Sequence, residues 1–174
     1  DLMAKKKKYK DCLVTPYSTR IGHFTEIAEY FQYNVPGIDS AQSHGKIDND
    51  AAAFDEILTS TGLIDKGRIL KSINAHSWKK DGLDGEELDF EDSKFLCLKS
   101  KNETDLHALL RHIRNSLAHG HLYVWKKKRG DYVFLIDIDV KKKQTSAKIM
   151  VSKNILEQWR KILQRRTVRQ AESA

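Results

Sequence analysis

The stretch from Ser100 to Gly120 contains a helix start, an inner face and a stop that agree with one another. Ser100-Lys101-Asn102-Glu103 has the capping-box pattern, in which the serine and glutamate side chains satisfy N–H groups that a first helical turn leaves unpaired. Leu106, Leu109, Leu110, Ile113 and Leu117 then recur at helical spacing and form one apolar stripe. Gly120 stands where a left-handed residue closes a helix at little steric cost. Beyond it the hydrophobic period drops from about 3.6 residues to about 2. His121–Lys126, Asp131–Ile138 and Thr145–Val151 read as strands rich in Tyr, Val, Phe and Ile. Arg129-Gly130-Asp131 and Lys141-Lys142-Lys143-Gln144 supply the turns of an antiparallel meander.

Further helices are expected on both sides of this unit. Ile21, Phe24, Ile27, Ala28 and Phe31 predict one over residues 20–33, capped by Ser18 or Thr19 and stopped by Pro36-Gly37. Ala51–Leu58 predicts a second, capped by Asp48 or Asn49. Ile69, Leu70 and Ile73 suggest a third over 66–78, and residues 81–93, rich in Asp, Glu and Gly, read as a solvated loop. A last helix starts near Lys153, with Ile155, Leu156, Trp159, Ile162 and Leu163 facing inward. The expected fold is mainly α (α+β), a helical bundle with a three-stranded antiparallel meander and a C-terminal helix. Residues 1–16 read as a basic N-terminal arm, 17–166 as a single domain and 167–174 as a basic and polar tail.

The 174 residues carry 31 Lys and Arg against 24 Asp and Glu, a net charge of +7. That excess points to an anionic partner, of which nucleic acid is the commonest. Cys12 and Cys97 lie far apart with no CxxC companion and are expected to be reduced thiols. No apolar run approaches the roughly 18 residues that span a bilayer, so no membrane partner is expected. The lysine-rich start has no apolar core of a secretion signal behind it, which makes the cytoplasm the expected location.

Phosphate loops, zinc-helix motifs and nucleophile elbows are missing from the sequence. The candidate chemistry gathers at the end of the capped helix, in Arg114, Asn115 and His119. A guanidinium offers phosphate a planar fork of donors, and an imidazole can take up or give a proton near neutral pH. With RNA, the nucleophile can be the substrate's own 2′-hydroxyl, so neither metal nor cofactor is expected. On a regular helix Arg114 and His119 lie about 140° apart, so they do not meet as neighbours on one helix face. A second surface is expected to complete the site, most simply the same helix of a two-fold partner. His107, Arg111 and His112 share the polar face; His107, Arg111 and His121, with the basic hairpin Lys126, Lys127 and Lys128, are candidate substrate contacts.

Arg114-Asn115-Ser116-Leu117-Ala118-His119-Gly120 resembles the signature of the HEPN superfamily, an arginine, four to six residues and a histidine. The resemblance implies a small helical protein that dimerises so that two motifs line one cleft. It implies a metal-independent endoribonuclease of a toxin–antitoxin or phage-defence system, with an antitoxin or other defence protein as a further partner. Arg114 and His119 would be catalytic, with Asn115 assisting. The strands at 121–151 depart from the commonest members, which continue as helices. A toxin branch has Tyr two positions after the histidine, where this chain has His121. A non-catalytic HEPN-like module that dimerises or binds a nucleotide, and a nucleic-acid-binding domain without chemistry, are the alternatives.

Overall fold

The computed structural model describes residues 8–13, 23–40, 42–87, 90 and 92–169. Helix α1, Phe24–Glu29, runs on into a π-helical turn, Tyr30–Asn34, and buries Phe24, Ile27, Ala28 and Phe31 as the spacing predicts. The expected caps Ser18 and Thr19, like the lysines at 5–7, lie outside the described residues. Strand β1, Lys46–Ile47, precedes α2, Asp50–Ser60, whose cap is Asn49 accepting from the Ala52 N–H at 3.3 Å. Strand β2, Gly67–Leu70, leads through α3, Ala75–Lys80, to β3, Lys94–Leu98. Helix α4, Asp105–Ala118, is followed by β4, Leu122–Lys127, β5, Gly130–Asp139, and β6, Gln144–Ser152. Helix α5, Lys153–Arg165, is capped by Ser152 and followed by β7, Thr167–Val168, which pairs antiparallel with β1.

The fold class is where the expectation needs correction. The protein is an α+β fold around a five-stranded mixed sheet, ordered β2-β3-β6-β5-β4, and not a mainly α bundle carrying a three-stranded meander. The meander is present, but β3 joins it antiparallel to β6, and β2 joins β3 in parallel. Two stretches account for the difference. Gly67–Leu70 is the start of the segment whose Ile69, Leu70 and Ile73 have helical spacing, yet it is a strand. There Gly67 sits so close to the Phe95 ring that a Cβ would lie 2.3 Å from Cε1, a cross-strand approach only glycine permits. In β3, Phe95, Leu96 and Cys97 are all fully buried, as in a strand covered on both faces, so no polar alternation marks it.

Strand alternation sets the two faces of the sheet. Leu122, Val124, Val133, Leu135, Ala147, Ile149 and Val151 join the main core with the helices. Phe134, Ile136 and Met150 point the other way, to a smaller cluster with Phe90, against which Tyr9, Tyr123 and Trp125 pack. Tyr9 belongs to a 3₁₀ turn, Tyr9–Cys12, so residues 8–13 dock on the outer face of the sheet, where Leu13 bridges Tyr123. The site is set by α4 and β5. The core-facing positions Val133 and Leu135 are followed, at the same alternation, by Asp137, whose carboxylate meets α4 just before a register shift between Asp137 and Ile138.

Candidate active site

Helix α4 forms as its pattern predicts, with Leu106, Leu109, Leu110, Ile113 and Leu117 buried. The start is one turn later than the capping box suggests. Thr104 is the cap, accepting from the His107 N–H at 3.1 Å, while Glu103 still reaches back to the Ser100 N–H at 2.9 Å. The stop is at Gly120, with φ of +72°. Gly120 N–H donates to the Leu117 carbonyl at 3.2 Å and His121 N–H to the Ser116 carbonyl at 2.9 Å, the paired bonds of a Schellman closure. His119 is the C-cap residue and is exposed.

The polar face of α4 is largely a paired network. Arg111 lays its fork on Glu103, Nε to Oε1 at 2.6 Å and Nη2 to Oε2 at 3.0 Å, and His107 Nδ1 faces the same Oε1 at 2.6 Å. Burial pushes the Glu103 carboxyl up, but hydrogen bonds from Arg111, the Ser100 backbone and His107 outweigh it and hold it down at about 2. His112, only 1% exposed, places Nδ1 2.7 Å from Asp137 Oδ2 and Nε2 2.6 Å from the Leu98 carbonyl. The Asn115 Nδ2 donates to Asp137 Oδ2 at 3.1 Å, which turns the amide oxygen away from the carboxylate. Burial also opposes ionisation of Asp137, and the bonds from His112 and Asn115 overcome it, keeping this carboxyl below its ordinary range.

Within this face Arg114 and His119 differ from the rest. Among the described residues no hydrogen bond or ion pair engages either side chain, and the buried Nε of Arg114 has no partner. His119 and His121 lie ring to ring, with centroids 6.3 Å apart, and His121 Nδ1 is likewise buried without a partner. Arg114 and Asn115 thus lie on the last turns of α4, with His119 at its C-cap and His121 just past it. Arg111 is about one turn away, and His107 about two turns, toward the start of the helix. Lys126, Lys127 and Lys128 belong to the far end of β4 and its turn, about 20 Å from His121 at the rise of a strand. There the Lys127 ammonium lies 5.3 Å from the Tyr132 ring centroid.

Three participants are missing from the sequence reading of the site. Glu103 appeared only as part of a cap, His112 only as one residue of the polar helix face, and Asp137 within a strand. Asp137 did carry a signal, since an acidic side chain at a core-facing strand position is almost never buried unless it is paired.

A family model described as HEPN pEK499 p136 matches residues 22–167, which include the whole of α4 and the segment Arg114–His119. No curated protein and no solved structure matches the chain. Among the described residues no helix is long and apolar enough to cross a membrane.

Proposed function

Because the chain belongs to the HEPN pEK499 p136 family, a nuclease or nucleotide-binding type of domain, we propose that it is an endoribonuclease working at Arg114 and His119. The observation that carries this reading is the contrast along α4. Glu103, His107, Arg111, His112, Asn115 and Asp137 are tied up in hydrogen bonds and ion pairs, whereas the side chains of Arg114 and His119 have neither among the described residues. An arginine that no carboxylate claims can place its donors on a phosphodiester. The exposed imidazole of His119 exchanges a proton with the 2′-hydroxyl or the leaving 5′-oxygen. Asn115, held by Asp137, presents its amide oxygen as a fixed acceptor. Attack by the substrate's own 2′-hydroxyl leaves a 2′,3′-cyclic phosphate and a 5′-hydroxyl, with no metal in the step.

RNA is the substrate class, favoured by the net charge of +7. A homodimer with two such segments across one cleft, and a role as a toxin or phage-defence effector restrained by an antitoxin, complete the proposal. The test is incubation of wild type, Arg114→Ala and His119→Ala with total RNA in EDTA. Cleavage by the wild type alone is expected. Cleavage that persists in both variants, or salt-sensitive RNA binding with no cleavage by any of the three, overturns the assignment.

A further inference from the structure

Cleavage by an internal 2′-hydroxyl moves two protons. One leaves that hydroxyl as its oxygen bonds to phosphorus, and one must reach the 5′-oxygen as its bond to phosphorus breaks. A single imidazole fills one of these roles. We propose that His121 fills the other, so that His119 and His121 of one chain act as an acid–base pair; this rests on the ribonuclease reading above.

Local backbone geometry creates the pair. Residues two apart on a helix diverge, whereas residues two apart on an extended segment share a face about 7 Å apart. The left-handed Gly120 ends the helix between them, and the rings of His119 and His121 lie 6.3 Å apart between centroids, inclined at 67°. That spacing suits two hydrogen bonds of about 3 Å to oxygens on either side of one phosphorus. The backbone of His121 is held on both sides: its N–H donates to Ser116 at 2.9 Å, and its carbonyl accepts from the Ile136 N–H at 3.2 Å. The half-buried ring is therefore carried on a rigid support, beside an exposed one.

His121 also has an unexplained feature. Its Nδ1 is buried with no hydrogen-bond partner among the described residues, an exception that demands a reason in a folded protein. With Nδ1 enclosed by the fold, Nε2 is the nitrogen left to meet substrate.

The step balances without a co-reactant. The neutral ring of the pair accepts the 2′-hydroxyl proton as the O2′–P bond forms. The protonated ring gives its proton to O5′ as the P–O5′ bond breaks. The rings end with exchanged protonation states, and exchange with water resets them.

The test uses the full chain and two substrates, an oligoribonucleotide and the same strand with a bridging 5′-sulfur at the cleavage site. A thiolate leaves without being protonated, so that substrate needs a base and no acid. On ordinary RNA, His119→Ala and His121→Ala are each expected to lower kcat about 10²–10⁴-fold, with KM little changed. On the sulfur substrate one variant regains the wild-type rate and the other does not. Mixing the two variants restores nothing, because neither chain then holds both rings. His121→Gln is the second variant, close in size, and it is expected to fold with an unchanged thermal midpoint and to be as slow as His121→Ala. Wild-type activity with His121→Ala within threefold of it overturns the pair alone, as does rescue of neither variant by sulfur. Recovery on mixing places the second group on the partner chain and also overturns it. A wild type that cuts neither substrate overturns the ribonuclease reading, and the pair with it.

Discussion

Replacing Asp137 with alanine removes the acceptor that both His112 and Asn115 use inside the fold. Asp137 is 4% exposed and His112 1%, so water does not readily substitute for the lost carboxylate. Two donors, His112 Nδ1 at 2.7 Å and Asn115 Nδ2 at 3.1 Å, lose their partner together. Each buried polar group left unpaired costs about 1–3 kcal/mol, and breaking a buried pair by removing one member costs about 3–5 kcal/mol. Asp137→Ala is therefore expected to destabilise by about 4 kcal/mol at pH 7. At roughly 2–4 °C per kcal/mol for a chain of this size, the thermal midpoint falls by about 10 °C. The effect depends on pH in a definite direction. Asp137 is held below the ordinary carboxylate range, so its contribution is complete above that range and fades as pH falls through its lowered folded value. Denaturant unfolding of wild type and variant at pH 7 and at successively lower pH gives both quantities. A loss under 1 kcal/mol at pH 7, or a difference that grows on acidification, would refute this reasoning.

Glu103 is held at about 2 against an ordinary 4.5, so it stabilises above about pH 4.5, and that stability drains away as pH falls toward 2. The full shift is worth on the order of 3 kcal/mol, and Glu103→Gln is expected to flatten the acid limb of the stability curve measured by denaturant titration. Gly120→Ala places a Cβ in open space but at φ of +72°, so the cost is conformational alone, about 1–2 kcal/mol by chemical denaturation.

What could be read from the sequence, and what could not, follows from how local each signal is. Helix α4 was legible because stripe and stop lie within a few residues of one another, and the meander because one buried face forces alternation. Strand β3 was not, since Phe95-Leu96-Cys97 is apolar on both faces and looks like any short buried run. Strand β2 was hidden because Ile69, Leu70 and Ile73 happen to fall at helical spacing, while its state is decided by pairing with β3. The segment Arg114–His119 stood out in the chain itself. The network behind it did not, because His112 and Asn115 meet Asp137 only once the register of β5 brings that carboxylate under α4. His121 was visible only as a neighbour, since the ring contact with His119 depends on the backbone turn at Gly120.

The most direct test of the central claim compares one oligoribonucleotide with its fully 2′-O-methylated copy, both incubated with the protein in EDTA and resolved by mass spectrometry. Cleavage of the first strand to 2′,3′-cyclic phosphate and 5′-hydroxyl ends, with the second intact, is the predicted result. Cleavage of the methylated strand, or ends carrying 5′-phosphate, would mean that the nucleophile is not the 2′-hydroxyl and that Arg114 and His119 do not act as described.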